Sequence, residues 1–183
     1  MIVNDTGKFR RVAIILAVVL CLLQLSIAPY VGILGGRANL ALVLAVALTL
    51  GGEESKAPAI GFACGLFYDL AGSGPIGLMA LLLTVMCYAL AVGGHSRIAD
   101  DPTAGVVLFV PVALIVEVGY ALVLLVFGQA SSFVDVVFLR ALPGALLDCL
   151  SMAVVAFALS RTGGTGGTFG GRHSSGGLSM KGL

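Results

Sequence analysis

Charged residues are scarce in this sequence. Ten Lys and Arg and nine Asp and Glu make up 10% of 183 residues, tryptophan is absent, and 7% of the chain is aromatic. The formal charge of +1 points to no acidic partner. No basic stripe is interleaved with aromatics, which argues against a nucleic-acid ligand. The four cysteines, Cys21, Cys64, Cys87 and Cys149, each stand alone in an apolar segment. With no CxxC and no Cys/His cluster at metal spacing, they read as small packing residues rather than a disulfide or zinc set. Catalytic machinery is missing as well. Ser26, Ser55, Ser73 and Ser96 have no local His/Asp arrangement, and His95 falls in a charged loop. The chain is therefore expected to be no enzyme, with no catalytic residue, no cofactor and no metal ligand.

What is present is hydrophobic. Apolar residues make up 59% of the chain, with a mean hydropathy of +1.12. A small soluble globule leaves most of its residues near water and has no place for that much apolar surface. The excess must face lipid, so the expected fold class is all-α, an integral membrane bundle of about six transmembrane helices.

A crossing takes about 20 apolar residues at a rise of about 1.5 Å each. Segments 12–34, 75–92, 103–127 and 133–160 meet that length, the last despite Arg140 and Asp148. Two shorter segments, 38–50 and 57–71, flank Gly51-Gly-Glu-Glu-Ser-Lys56. They read either as two thin-membrane crossings or as one re-entrant hairpin. Lys8, Arg10 and Arg11 before the run from Val12 to Leu23, with Ser26-Ile27-Ala28 after it, loosely imitate a signal peptide. The uncharged stretch continues to Gly36, however, so a retained first helix is expected.

Charge asymmetry sets the orientation. With six crossings and the N-terminus inside, Lys8, Arg10, Arg11, Lys56, Arg97, Arg161, Arg172 and Lys181 are cytoplasmic, and Arg37 alone is outside. Residues 1–11 then form a cytoplasmic tail, 12–160 the transmembrane bundle, and 161–183 a second cytoplasmic tail. That last segment, with its Gly-Gly-Thr repeats and His173, has little to bury and is expected to be disordered. Its glycines are no phosphate loop, because no Gly-Lys-Ser/Thr step occurs.

Four ionisable residues fall within or at the edge of the spans: Asp69, Glu117, Arg140 and Asp148. Charges at membrane depth normally face the bundle interior and find partners. Counting from the outer helix ends places Glu117 about 15 Å deep, Arg140 about 10 Å and Asp148 about 22 Å. Asp69 falls near the outer surface. An interhelical Glu117–Arg140 pair is the expectation. The functional reading of these groups is an ion or proton path. The structural reading is a polar pair that holds helix register, with the deeper carboxyl carried as the neutral acid. With no intramembrane histidine, the structural reading is preferred. Gly61-Phe-Ala-Cys-Gly65 is a GxxxG, and 13–17 and 41–45 are small-xxx-small. Such spacings let helix backbones approach closely, within the bundle or against a partner helix.

One stretch has a wider likeness. Asn39-Leu-Ala-Leu-Val-Leu, then Gly61-Phe-Ala-Cys-Gly-Leu-Phe-Tyr-Asp69-Leu, then Gly74-Pro-Ile-Gly77-Leu-Met-Ala80-Leu resembles the MreD family of rod-shape-determining membrane proteins. The likeness extends to Arg140-Ala-Leu-Pro143 and spans most of residues 10–161. Ala38 stands where that family usually has Pro, Asn39 where it has Asp, and the Gly-rich tail is additional. The resemblance implies a non-enzymatic scaffold subunit of the bacterial cell-elongation and peptidoglycan-synthesis machinery in the cytoplasmic membrane. Its partners would be an MreC-like protein and, indirectly, the RodA–penicillin-binding-protein synthase and MreB. The implied fold is similar to that of energy-coupling-factor S subunits, which makes a substrate-binding subunit of a vitamin transporter the alternative. Fold alone does not assign function, and a vitamin pocket calls for convergent aromatic and polar groups that short, plain outer loops do not supply. Gly61, Gly65, Asp69, Gly77, Glu117, Arg140 and Asp148 are the residues expected to pack the bundle or meet a partner.

Overall fold

The computed structural model describes residues 4–28, 30–52, 54–72, 74–93, 102–128 and 132–162. Nearly all of the Gly-rich tail, and the loop that carries His95 and Arg97, lie outside them. The described residues hold six α-helices: α1 (Asn4–Ser26), α2 (Leu40–Gly51), α3 (Ala57–Ala71), α4 (Leu78–Val92), α5 (Pro102–Val126) and α6 (Leu142–Thr162). A short antiparallel hairpin, β1 (Gly32–Ile33) and β2 (Gly36–Arg37), links α1 to α2.

The architecture is all-α, and its membrane character is legible in its helices. Gly105–Val126 and Asp135–Leu159 are each long and apolar enough to cross a bilayer by length and composition. Large apolar side chains such as Ile15, Leu22, Val107 and Phe157 lie on the outside, where hydrocarbon accepts them. Three helix hydroxyls bond within their own helix: Ser26 to the Leu22 carbonyl, Thr84 to Ala80 and Ser151 to Leu147. This disposes of a donor that lipid cannot receive.

The shortest helix is the most central. In α2, nine of the twelve residues are buried, and the helix touches α1, α3, α4, α5 and α6. Its unbroken Leu-Ala-Leu-Val-Leu-Ala-Val-Ala run lacks a polar face because no face of it meets water. At about 18 Å, α2 is sheathed by the longer helices around it.

α3 and α4 form the tightest pair, and glycine is the reason. A Cβ on Gly61 would overlap the Leu83 carbonyl, and one on Gly65 would overlap the Ala80 backbone. The GxxxG spacing therefore seats α3 directly on the main chain of α4, a seam inside the bundle.

Two parts of the chain depart from uninterrupted helices. The expected first span, 12–34, ends as helix at Ser26, and the chain then turns through the hairpin. The expected last span begins with wide π-helical turns over Asp135–Ala141 before α6. Pro143 accounts for the second feature. It has no N–H, and its ring crowds the carbonyl four residues back, so regular α-helical turns through Leu139 are disfavoured. The Leu139 carbonyl instead accepts from the Gly35 N–H at 2.8 Å. The hairpin thus supplies the hydrogen bond that the proline removes.

Candidate functional site

Two helices begin inside the protein, and both solve the same problem. The first N–H groups of a helix have no partner in their own helix, and a buried start must find them elsewhere. At α2, every partner is a side chain. Leu40 N–H donates to Gln24 Oε1 of α1 at 2.7 Å, and Leu42 N–H to Asn39 Oδ1 at 3.1 Å. Asn39 N–H donates to Asp148 Oδ1 of α6 at 2.5 Å. The Asn39 amide turns its own donors outward from the cap, to Glu117 Oε1 of α5 at 3.4 Å and Met79 Sδ of α4 at 3.7 Å. Asn39, Glu117 and Asp148 are all buried, so one polar knot joins α1, α2, α4, α5 and α6.

The two carboxyls of this knot are close neighbours. Asp148 Oδ2 has no hydrogen-bond partner among the described residues. Both acids lie by the start of α2, where the aligned peptide dipoles favour negative charge. Gly144, one turn before Asp148, makes the approach possible: a Cβ there would come within 3.1 Å of Glu117 Oε2.

The second buried start belongs to α4. Asp69, near the end of α3, accepts from Gly77 N–H at 2.8 Å, Ala80 N–H at 3.1 Å and Met79 N–H at 3.2 Å. Gly77 holds φ +96°, a left-handed conformation that side chains resist, and this turn presents the N–H groups to Asp69. The spaced residues Gly61, Gly65, Asp69 and Gly77 are thus one device, which closes the α3–α4 pair and caps its second helix.

Asp69 is buried, its carboxylate serving three backbone donors. The structure corrects two expectations. Glu117 and Asp148 are neighbours although residue counting along upright helices sets them at different depths, because the wide turns before α6 advance less per residue. Arg140 makes no salt bridge with Glu117 among the described residues. Its side chain is exposed, and its guanidinium carbon lies 5.9 Å from the centre of the Tyr120 ring, a cation–π distance. Tyr120 in turn meets Tyr68 edge-to-face, with 6.1 Å between centroids.

Sequence reasoning left Gln24 and Asn39 out of the candidate residues. Asn39 had a signal, since Asn directly before a periodic apolar run is a preferred N-cap. Gln24 had a weaker one, as a lone amide within an apolar helix.

Chemically, the knot holds two carboxyls and two amides that cap and accept, with no nucleophile beside a base. Among the described residues, no group of three or more His, Cys, Asp or Glu is placed to hold a metal ion. The model of the rod shape-determining protein MreD family matches residues 7–160. No curated protein and no solved structure matches the chain.

Proposed function

The chain belongs to the MreD family of rod shape-determining bacterial membrane proteins, and from that premise we propose that it is a non-enzymatic scaffold subunit of the cell-elongation complex. The observation that carries the reading is the family match over 7–160, nearly the whole helical region. The polar interior supports it. Asp69, Asn39, Asp148 and Gln24 cap buried helix ends, so the acids have structural duties that a transport path would not require. Function then falls to the outer helix faces and loops.

In this proposal the partner is an MreC-like membrane protein, with the RodA–penicillin-binding-protein synthase and MreB reached through it. The chain crosses the cytoplasmic membrane six times with both termini cytoplasmic, in keeping with eight basic residues on one side against Arg37 on the other. Residues 1–11 and 161–183 are its cytoplasmic ends and 12–160 its bundle, with a fold similar to energy-coupling-factor S subunits.

Depletion of the protein tests the reading. Rounded or widened cells with mislocalised wall-synthesis proteins, unrescued by any vitamin, are the expected result. A stoichiometric vitamin in the purified protein, or copurification with an ATPase pair instead of wall-synthesis proteins, would identify a transporter subunit.

A further inference from the structure

Among the described residues, two arginines at the hairpin end of the bundle have no acidic partner in a salt bridge. Arg37 on β2 and Arg140 in the wide turns before α6 are both exposed. Among the described residues neither forms a salt bridge and neither guanidinium donates a hydrogen bond. Arg140 has only the face of Tyr120, at 5.9 Å, and the more distant charge of Glu117, whose carboxyl is already engaged by Asn39.

The backbone holds these arginines on adjoining segments. Gly35 N–H is bonded to the Leu139 carbonyl at 2.8 Å, and a Cβ on Gly36 would overlap the Arg140 carbonyl. A Cβ on Gly35 would lie 4.0 Å from the Arg140 Cβ. Large apolar side chains surround the pair: Ile33 and Leu34 on the hairpin, Phe138 and Leu139 beside Arg140, all exposed. Leu34 is 79% exposed and holds φ +59°, a left-handed conformation costing about 1–2 kcal/mol for a residue with a side chain. The hairpin tip thus keeps a leucine outward against both backbone and solvent preference.

We propose that Arg37 and Arg140 form a binding site for the phosphate of an anionic membrane lipid, whose acyl chains lie on the apolar surface beside them. Guanidinium forks match phosphate geometry and bind it with paired, charge-assisted hydrogen bonds. An arginine on a lipid-facing helix keeps its stem in hydrocarbon and extends its head toward the headgroup layer. A free anion would use the two charges but not Ile33, Leu34, Phe138 and Leu139. An acidic segment of a partner protein would use the charges without needing lipid. The occurrence of both chemistries on one surface favours a phospholipid.

The test uses the full-length protein, purified and relipidated with phosphatidylglycerol and phosphatidylcholine in equal amounts, with retained lipid read by native mass spectrometry. The wild type is expected to retain phosphatidylglycerol preferentially, and excess inorganic phosphate should not displace it. Arg37→Gln should lower that retention about tenfold, the effect of one lost charge-assisted contact. Arg140→Gln should act likewise, and Arg140→Lys should recover only part of it. Arg11→Gln, at the start of the bundle's first apolar stretch, should change nothing. Because the Arg37 side chain makes no bonded contact among the described residues, Arg37→Gln keeps the test valid if Arg140 variants fail to fold. Equal retention of phosphatidylcholine, displacement by inorganic phosphate, or unchanged retention in Arg37→Gln would each overturn the proposal. So would loss of a copurifying protein from Arg37→Gln while lipid retention stayed constant.

Discussion

The Gly35 N–H donates to the carbonyl of Leu139 at 2.8 Å, and Pro143 is what leaves that carbonyl open. A residue with an N–H at position 143 would compete for it from within the helix. A substitution in α6 is therefore a substitution in the hairpin contact, although the hairpin lies more than a hundred positions earlier in the chain.

Pro143→Ala should return the Leu139 carbonyl to the helix and loosen the hairpin. One neutral hydrogen bond contributes about 1 kcal/mol, so amide exchange at Gly35 should rise about fivefold while α6 becomes better protected. Hydrogen–deuterium exchange read over 32–37 and 135–147 measures both. Unchanged exchange in the hairpin would show that packing of Gly36 against residues 140–144, and not this bond, holds it in place.

Much of this fold was legible because lipid makes helical boundaries simple. α3 was expected at 57–71 and is found at Ala57–Ala71, and α2, α4 and α5 lie close to their apolar runs, whereas α1 runs from Asn4 to Ser26 against an expected 12–34. The hairpin at 32–37 was not legible, since Gly-Ile-Leu-Gly-Gly is as apolar as the helix before it and hydropathy cannot separate them. At the site, composition identified Asp69, Glu117 and Asp148 as unusual but offered a partner for Glu117 alone, Arg140. Charge counting pairs acids with bases, whereas here Glu117 accepts from the Asn39 amide, and Asp69 and Asp148 accept from backbone N–H groups. Those donors are invisible in a sequence until the helix starts are known. Arg140, the obvious partner for Glu117 by charge, is exposed beside Tyr120.

Asp69 should behave as a cap. Asp69→Ala removes the acceptor of three N–H groups at the buried start of α4 and should cost about 2 kcal/mol. Asp69→Asn keeps one carbonyl oxygen and should fall between the two. Gly77→Ala should add a cost of about 1 kcal/mol or more from its positive φ. Thermal unfolding in detergent, followed by circular dichroism, ranks the series. An Asn variant no better than the Ala variant would mean that charge, not hydrogen bonding, matters there.

Gly65 and Gly105 should respond in opposite directions. Gly65→Leu forces a side chain into the Ala80 backbone and should destabilise the protein by about 2 kcal/mol or more. At Gly105 a Cβ would meet only Leu50 Cδ1, at 3.6 Å. Gly105→Ala should therefore be neutral or stabilising by up to about 1 kcal/mol, from helix propensity. The monodisperse fraction after solubilisation, with a melting curve, reports both. Tolerance of Gly65→Leu would mean that α3 and α4 can separate without loss of the fold.

The polar knot makes the sharpest demand, because its partners can be separated by substitution. Asn39 accepts from Leu42 N–H through Oδ1 and donates to Glu117 through Nδ2. Only an amide does both. Asn39→Asp keeps the cap but replaces the donor with an acceptor facing Glu117, bringing three carboxyls together at the start of α2. Asn39→Asp should therefore be markedly less stable than wild type, and adding Glu117→Gln should recover part of the loss by restoring a donor. Asp148→Asn leaves an oxygen for Asn39 N–H and should be tolerated far better than Asp148→Leu. The leucine strands a buried backbone donor, at a cost of about 1–3 kcal/mol. In double-mutant cycles Glu117 should couple to Asn39 by about 1 kcal/mol and to Arg140 by about 0.5 kcal/mol or less. A strong Glu117–Arg140 coupling with none to Asn39 would mean that the two charges meet directly in the membrane. The interior would then be held by an ion pair across α5 and the turns before α6, and not by the cap on α2.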